Sequence, residues 1–197
     1  MTNNPPKLAF DLAHDLQALA AMASNLTPYL YEDELYGFLA RDLPHLTLGG
    51  LLLRLHRLSC LANTLDTEQQ RIVQDARLNF EAERAQWAVH FDKKLQREIA
   101  TRLMTCEQFL LEYTENPRAL AAGYPAQAEK RTIITHLHDA ALEQEVWSEE
   151  AARRLITIDQ RLRRSFQAGN FISDPRLAAC YPPEQFWWMY GCLAEER

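Results

Sequence analysis

From Glu68 to Glu115 the chain runs without a proline or glycine, the two residues that most often end a helix. The run opens at Thr67-x-x-Gln70, which has the form of a capping box, and the next breaker is Pro117. Its apolar residues include Val73, Ala76, Phe80, Trp87, Phe91, Leu95, Ile99, Leu103, Cys106, Leu110 and Tyr113. They mostly recur in steps of three and four, with a longer gap at Arg84. The pattern predicts one continuous or gently bent helix, roughly 70 Å long at about 1.5 Å per residue. Glu98 and Arg102 stand i,i+4 near its middle, so the helix offers one apolar environment to each half, joined by a polar waist.

The remaining segments read as shorter helices. Asn4 and Pro5 look like the N-cap and first turn of a helix reaching Ser24, with Leu8, Leu12, Leu16, Leu19 and Ala23 as its stripe. Thr27-Pro28 starts a second, carrying Leu30, Leu35, Phe38 and Leu39 and stopping before Pro44. Thr47 caps a third, to about Leu65. Leucines on most of its faces make it the buried centre of the N-terminal half, and Gly49-Gly50 at its start permit close packing. After a short link, Pro125 opens a helix with Ile133, Ile134, Leu137, Ala140 and Ala141 on one face. Ser148-Glu149-Glu150 starts another, which buries Ala151, Leu155, Ile158, Leu162 and Phe166 and ends at Gly169.

The expected fold is therefore all-α, an elongated helical bundle organised around one long central helix. It forms a single all-helical domain over residues 1–197, with N-terminal helices at about 5–65, the long helix at about 67–115 and C-terminal helices at about 125–190. A length of 197 residues, 47% of them hydrophobic, supports a sizeable core.

Charge narrows the function classes. A net charge of −6 argues against broad binding to nucleic acid or anionic membrane, which needs a basic surface. The polar start of the chain has no basic region followed by an apolar stretch, which predicts a cytoplasmic protein. The most apolar run, Leu46 to Leu55, is too short to span a bilayer. The four cysteines form no Cys-x-x-Cys pair, and Cys60 and Cys106 read as buried thiols.

Several groupings invite chemistry, each with a plainer reading beside it. Asp11, His14 and Asp15 share neighbouring helix positions but lie off the leucine stripe, which predicts a solvated face rather than metal ligands. His136 and His138 are two apart and point to nearly opposite sides, and His136, Asp139 and Glu143 read as a second solvated face. Arg54 and Arg57, flanking His56 on a leucine-rich helix, predict buried ion pairs with Glu32, Asp33, Glu34 or Asp42 of the preceding helix, or else an anion site. Arg153, Arg154, Arg161 and Arg164 form a basic face opposite Leu155 and Leu162. Phe186, Trp187, Trp188 and Tyr190, after Pro182-Pro183, are candidates either for core or for docking a partner.

No Gly-rich phosphate loop, nucleophile elbow or zinc-protease helix is present, so no catalytic residue, metal or cofactor is assigned. The expected function is a non-enzymatic protein-interaction, adaptor or regulatory subunit that binds another protein or itself. The alternatives are a nucleic-acid-associated subunit using the arginine face, and a ligand-binding or enzymatic bundle with an anion site at Arg54, His56 and Arg57.

Overall fold

A computed structural model describes residues 7–195. The elements, in chain order, are α1 (Leu12–Ser24), α2 (Leu26–Tyr31), α3 (Leu48–Cys60), α4 (Thr67–Gln86), α5 (Ala88–Glu115), α6 (Pro117–Leu120), α7 (Tyr124–Glu143), α8 (Glu149–Ser165), β1 (Phe166–Phe171) and β2 (Tyr190–Leu193). The chain is all-α apart from this small two-stranded sheet. It divides into two compact units: unit 1 is Met1–Phe10, Ala100–Thr135 and Trp147–Arg197, and unit 2 is Asp11–Ile99 and His136–Val146. Both α5 and α7 contribute one segment to each unit.

In unit 2, α1 packs on α3 and α4. Leu16, Leu19 and Met22 of α1 and Leu48, Leu51, Leu55 and Leu58 of α3 fill its core, with Phe80 and Phe91 from either side of the α4–α5 break. The single long helix expected from the sequence is interrupted once, at Trp87, giving α4 and α5. Trp87 leaves the helical region at φ −116° and ψ 34°, and α4 ends there. The interruption is one residue long, and Trp87 stays in the ladder: its N–H still donates to the Glu83 carbonyl at 2.9 Å, and its own carbonyl accepts from His90 and Phe91. The physical reason lies in the gap in the stripe at Arg84, which is tied by ion pairs to Glu81 and Glu143 rather than packed in the core. Beyond it, the Trp87 ring meets the edge of Tyr31 at 4.8 Å and Phe91 packs 5.7 Å from Phe80.

Several helix ends differ from the sequence expectation. The Asn4 cap lies outside the described residues; α1 begins at Leu12, where the Asp11 side chain accepts from the His14 N–H. The capping box at α4 is Asp66 with Gln69, one place earlier than Thr67 with Gln70, because Asp66 is the last extended residue. Gln70 instead donates to the carbonyls of Ala62 and Leu65. Cys60 sits exposed at the end of α3, whereas Cys106 is buried, which pushes its thiol up to about 11.

In unit 1, α8 stops at Ser165 rather than at Gly169, and no α-helix follows it among the described residues. Strand β1 pairs antiparallel with β2, Phe166 opposite Leu193 and Ala168 opposite Gly191, with a bulge before the Phe171–Tyr190 pair. Gly191 makes this register possible. At its φ of +157°, a Cβ would stand 2.1 Å from the Gln167 carbonyl oxygen. Between the strands lie two 3₁₀ turns, Pro175–Cys180 and Trp187–Met189. Pro182-Pro183 cannot donate to a helical ladder, and the aromatic segment after them forms only the short Trp187–Met189 turn. No helix among the described residues is long and apolar enough to cross a membrane.

Candidate functional site

Helix α2 ends at Tyr31, well before Pro44. Three consecutive carboxylates follow it, Glu32, Asp33 and Glu34. Negative charge at a helix C-terminus opposes the helix dipole, and adjacent carboxylates repel each other, so the helix gains nothing by continuing. The carbonyls it would have used internally are taken by α5. The buried Lys94 Nζ donates to the carbonyl oxygens of Glu32 and Glu34, both at 2.5 Å, and sits 4.2 Å from the centre of the Tyr29 ring. Arg97 donates to the Asp33 carbonyl at 2.8 Å. Burial and the nearby Arg97 charge lower the Lys94 ammonium from its ordinary value, against the raising effect of the three carboxylates.

The loop over residues 32–47 is then closed on itself. Gly37 and Leu46 exchange backbone hydrogen bonds of 2.9 and 2.8 Å, and the Tyr29 hydroxyl donates to the Leu35 carbonyl. A Cβ at Gly37 would stand 2.9 Å from the Tyr29 ring, so glycine lets this bridge seat against α2. From residue 36 to 40 exposure alternates as in a strand: Gly37 and Leu39 face inward and Tyr36 and Phe38 face outward. Phe38 is 78% exposed and Tyr36 47%, with Tyr31 at the loop's start 50% exposed. A phenylalanine turned outward by a fixed backbone is a standing solubility cost, which marks this loop as the candidate site.

The residues singled out from the sequence lie elsewhere. Arg54 and Arg57 both face Asp15 of α1, at 3.4 and 3.8 Å. Asp15 is accordingly buried, which corrects its reading as part of a solvated face: one turn of α1 presents it to α3. The Arg54 guanidinium also donates to the Gly50 carbonyl at 2.9 Å. Glu98, expected at a polar waist, is fully buried, and both its oxygens accept from the Gly49 N–H at the start of α3. It places negative charge at the positive end of that helix.

The rings of His56 and His136 meet tilted at 41°, centroids 4.6 Å apart, in a cleft of about 290 Å³ that also includes Arg77, Arg84, Asp139 and Glu143. His136 is buried, not solvated; burial first, then the neighbouring His56, lowers it to about 3 and keeps it neutral. No group of three or more His, Cys, Asp or Glu among the described residues could hold a metal ion.

In unit 1 the C-terminal aromatics are largely internal. Phe186 and Trp188 are buried. The Trp188 indole N–H donates to the Thr132 hydroxyl at 3.0 Å, its carbonyl accepts from the Tyr124 hydroxyl at 2.7 Å, and Arg131 stacks 4.0 Å over its ring. Tyr124 is pushed up by burial above all. A docking role for Phe186 and Trp188 is therefore corrected: their own chain already covers them. Trp187 and Tyr190 are half-buried; Arg163 lies over the Trp187 ring, and the Tyr190 hydroxyl donates to the Tyr181 carbonyl. On the basic face, Arg154 is held by a bidentate pair with Glu107 of α5, at 2.9 and 2.7 Å. Arg153, Arg161 and Arg164 are exposed.

Sequence reasoning missed Tyr36, Phe38, Lys94 and Arg97. The one signal was the carboxylate run at 32–34, an unfavourable continuation for a helix. Comparison with protein-family models, with curated proteins and with solved structures finds no match.

Proposed function

We propose that this chain is a non-enzymatic protein-interaction subunit that presents loop 32–47 to a protein partner. The observation that carries the reading is Phe38, 78% exposed on a backbone that Lys94 and the Gly37–Leu46 bridge hold in place. A fixed aromatic loses little conformational freedom on binding, so more of its burial energy appears as affinity. The groups that could have served chemistry are engaged within the fold: Arg54 and Arg57 with Asp15, Arg131 with Asp159, and Arg154 with Glu107. The nucleic-acid reading is less favoured, since the arginine face has lost Arg154 to an internal pair and the chain carries a net charge of −6.

The test is co-purification from the native host with the wild-type chain and with a Tyr36→Ala/Phe38→Ala double variant of unchanged melting temperature. The proposal expects at least one stoichiometric partner that is lost with the double variant. Identical sets of co-purifying proteins would overturn it.

A further inference from the structure

The same chain carries a second exposed surface whose chemistry complements the loop. On α8, at about 100° per residue, Arg153, Ile156, Arg161 and Arg164 fall within one outward-facing side of the helix. All four are exposed, Ile156 at 57%. Among the described residues, no ion pair holds Arg153, Arg161 or Arg164. Loop 32–47 offers the opposite pattern. Tyr36 and Phe38 stand out from it, and it bears four carboxylates, Glu32, Asp33, Glu34 and Asp42, against the single Arg41. Two cations beneath the loop, Lys94 and Arg97, direct donors to backbone carbonyls, although Arg97 also lies 3.7 Å from the Asp33 carboxylate.

We infer that the loop docks the α8 face of a second copy of this chain, with arginines over Tyr36 and Phe38 and carboxylates around them. This rests on the loop being the docking surface proposed above. Guanidinium on an aromatic face is a pairing the fold already uses, most closely where Arg131 lies 4.0 Å over Trp188 and Arg163 4.0 Å over Trp187. The contact joins two different surfaces, loop and helix face. If two copies return the contact to each other they close as an isologous pair; if the contact is not returned, it propagates to a ring or an open chain.

Sedimentation velocity on the full chain tests the inference, up to roughly 100 µM and at low and high salt. Association that weakens with salt is expected. It should fall about tenfold or more, the equivalent of one good interface residue, in both Tyr36→Ala/Phe38→Ala and Arg161→Glu/Arg164→Glu. The two variants mixed should form a 1:1 complex that neither forms alone, because each keeps the surface the other has lost. A wild-type chain monomeric at the highest concentration in low salt overturns the inference, as does self-association indifferent to both variants. If the chain is monomeric but Phe38→Ala still strips a different protein from the co-purification, the second copy is the wrong occupant and the interaction reading stands. If neither changes, both fall.

Discussion

Arg131 in unit 1 and the pair Arg54 and Arg57 in unit 2 are cations held inside the fold, yet their carboxylates hold them differently. Arg131 meets Asp159 as a fork, at 2.7 and 2.8 Å, donates a third bond to the Thr135 hydroxyl, and sits 4.0 Å over the Trp188 ring. Asp15 is shared by two guanidinium groups, neither closer than 3.4 Å. The first arrangement satisfies the guanidinium in its plane and above it, so a charge can sit beside an aromatic core. The second spreads one negative charge over two positive ones, and Arg54 completes itself on the Gly50 carbonyl of its own helix. The difference teaches that a buried arginine is anchored by the geometry of its acceptors more than by the number of charges near it.

The comparison can be broken by mutation. Arg131→Ala should cost the most, about 3–5 kcal/mol, because Asp159 loses its partner and Trp188 its stacking face. Urea unfolding followed by tryptophan fluorescence would measure it. A loss no larger than that of an exposed substitution would show the fork to be ornamental. Arg57→Ala should destabilise less, about 2–3 kcal/mol, since Arg54 remains on Asp15. Removing both arginines should then cost more than the sum of the two single changes. Simple additivity in this cycle would mean that the two do not share Asp15 energetically.

Acid should weaken unit 2 through His136. Its folded value of about 3 lies below the ordinary 6.5, so the unfolded chain binds the proton more tightly. Stability from this group is complete above the ordinary value and falls as the pH drops toward 3. The loss should reach about 2 kcal/mol near pH 5. Chemical denaturation at several pH values should show this slope flattened in His136→Gln; an identical slope would point to other groups.

The smallest effect has the opposite sign. Helix α7 closes with Val146 donating to Ala141 and Glu145 to Leu142, which places Glu145 in the left-handed region at φ 57°. Glu145→Gly should therefore stabilise by about 0.5–1 kcal/mol, read as a higher melting temperature. A decrease would mean that the glutamate side chain contributes more than its backbone strain costs.

The sequence by itself determined that the chain is helical, and where several helices begin. Thr47 and Ser148 cap through their own side chains, and these contacts span only three residues, as do the steps of the apolar stripes. Local spacing is enough to specify them. It showed a gap in the stripe at Arg84 but did not place the break at Trp87, because no proline or glycine marks it. The bend comes from what packs on either side, Tyr31 against Trp87 and Phe80 against Phe91. Nor could it place Asp15, whose partners on α3 lie about forty positions away, or Glu98, which caps a helix start 49 residues earlier. The candidate site was the least legible part. Phe38 reads as one more apolar residue in a helical stripe, and only the Lys94 clamp and the Gly37–Leu46 bridge turn it to solvent. The physical reason is common to all of these. Propensity and capping act over a few neighbouring residues, whereas burial of a charge or exposure of a ring depends on which distant backbone groups satisfy it.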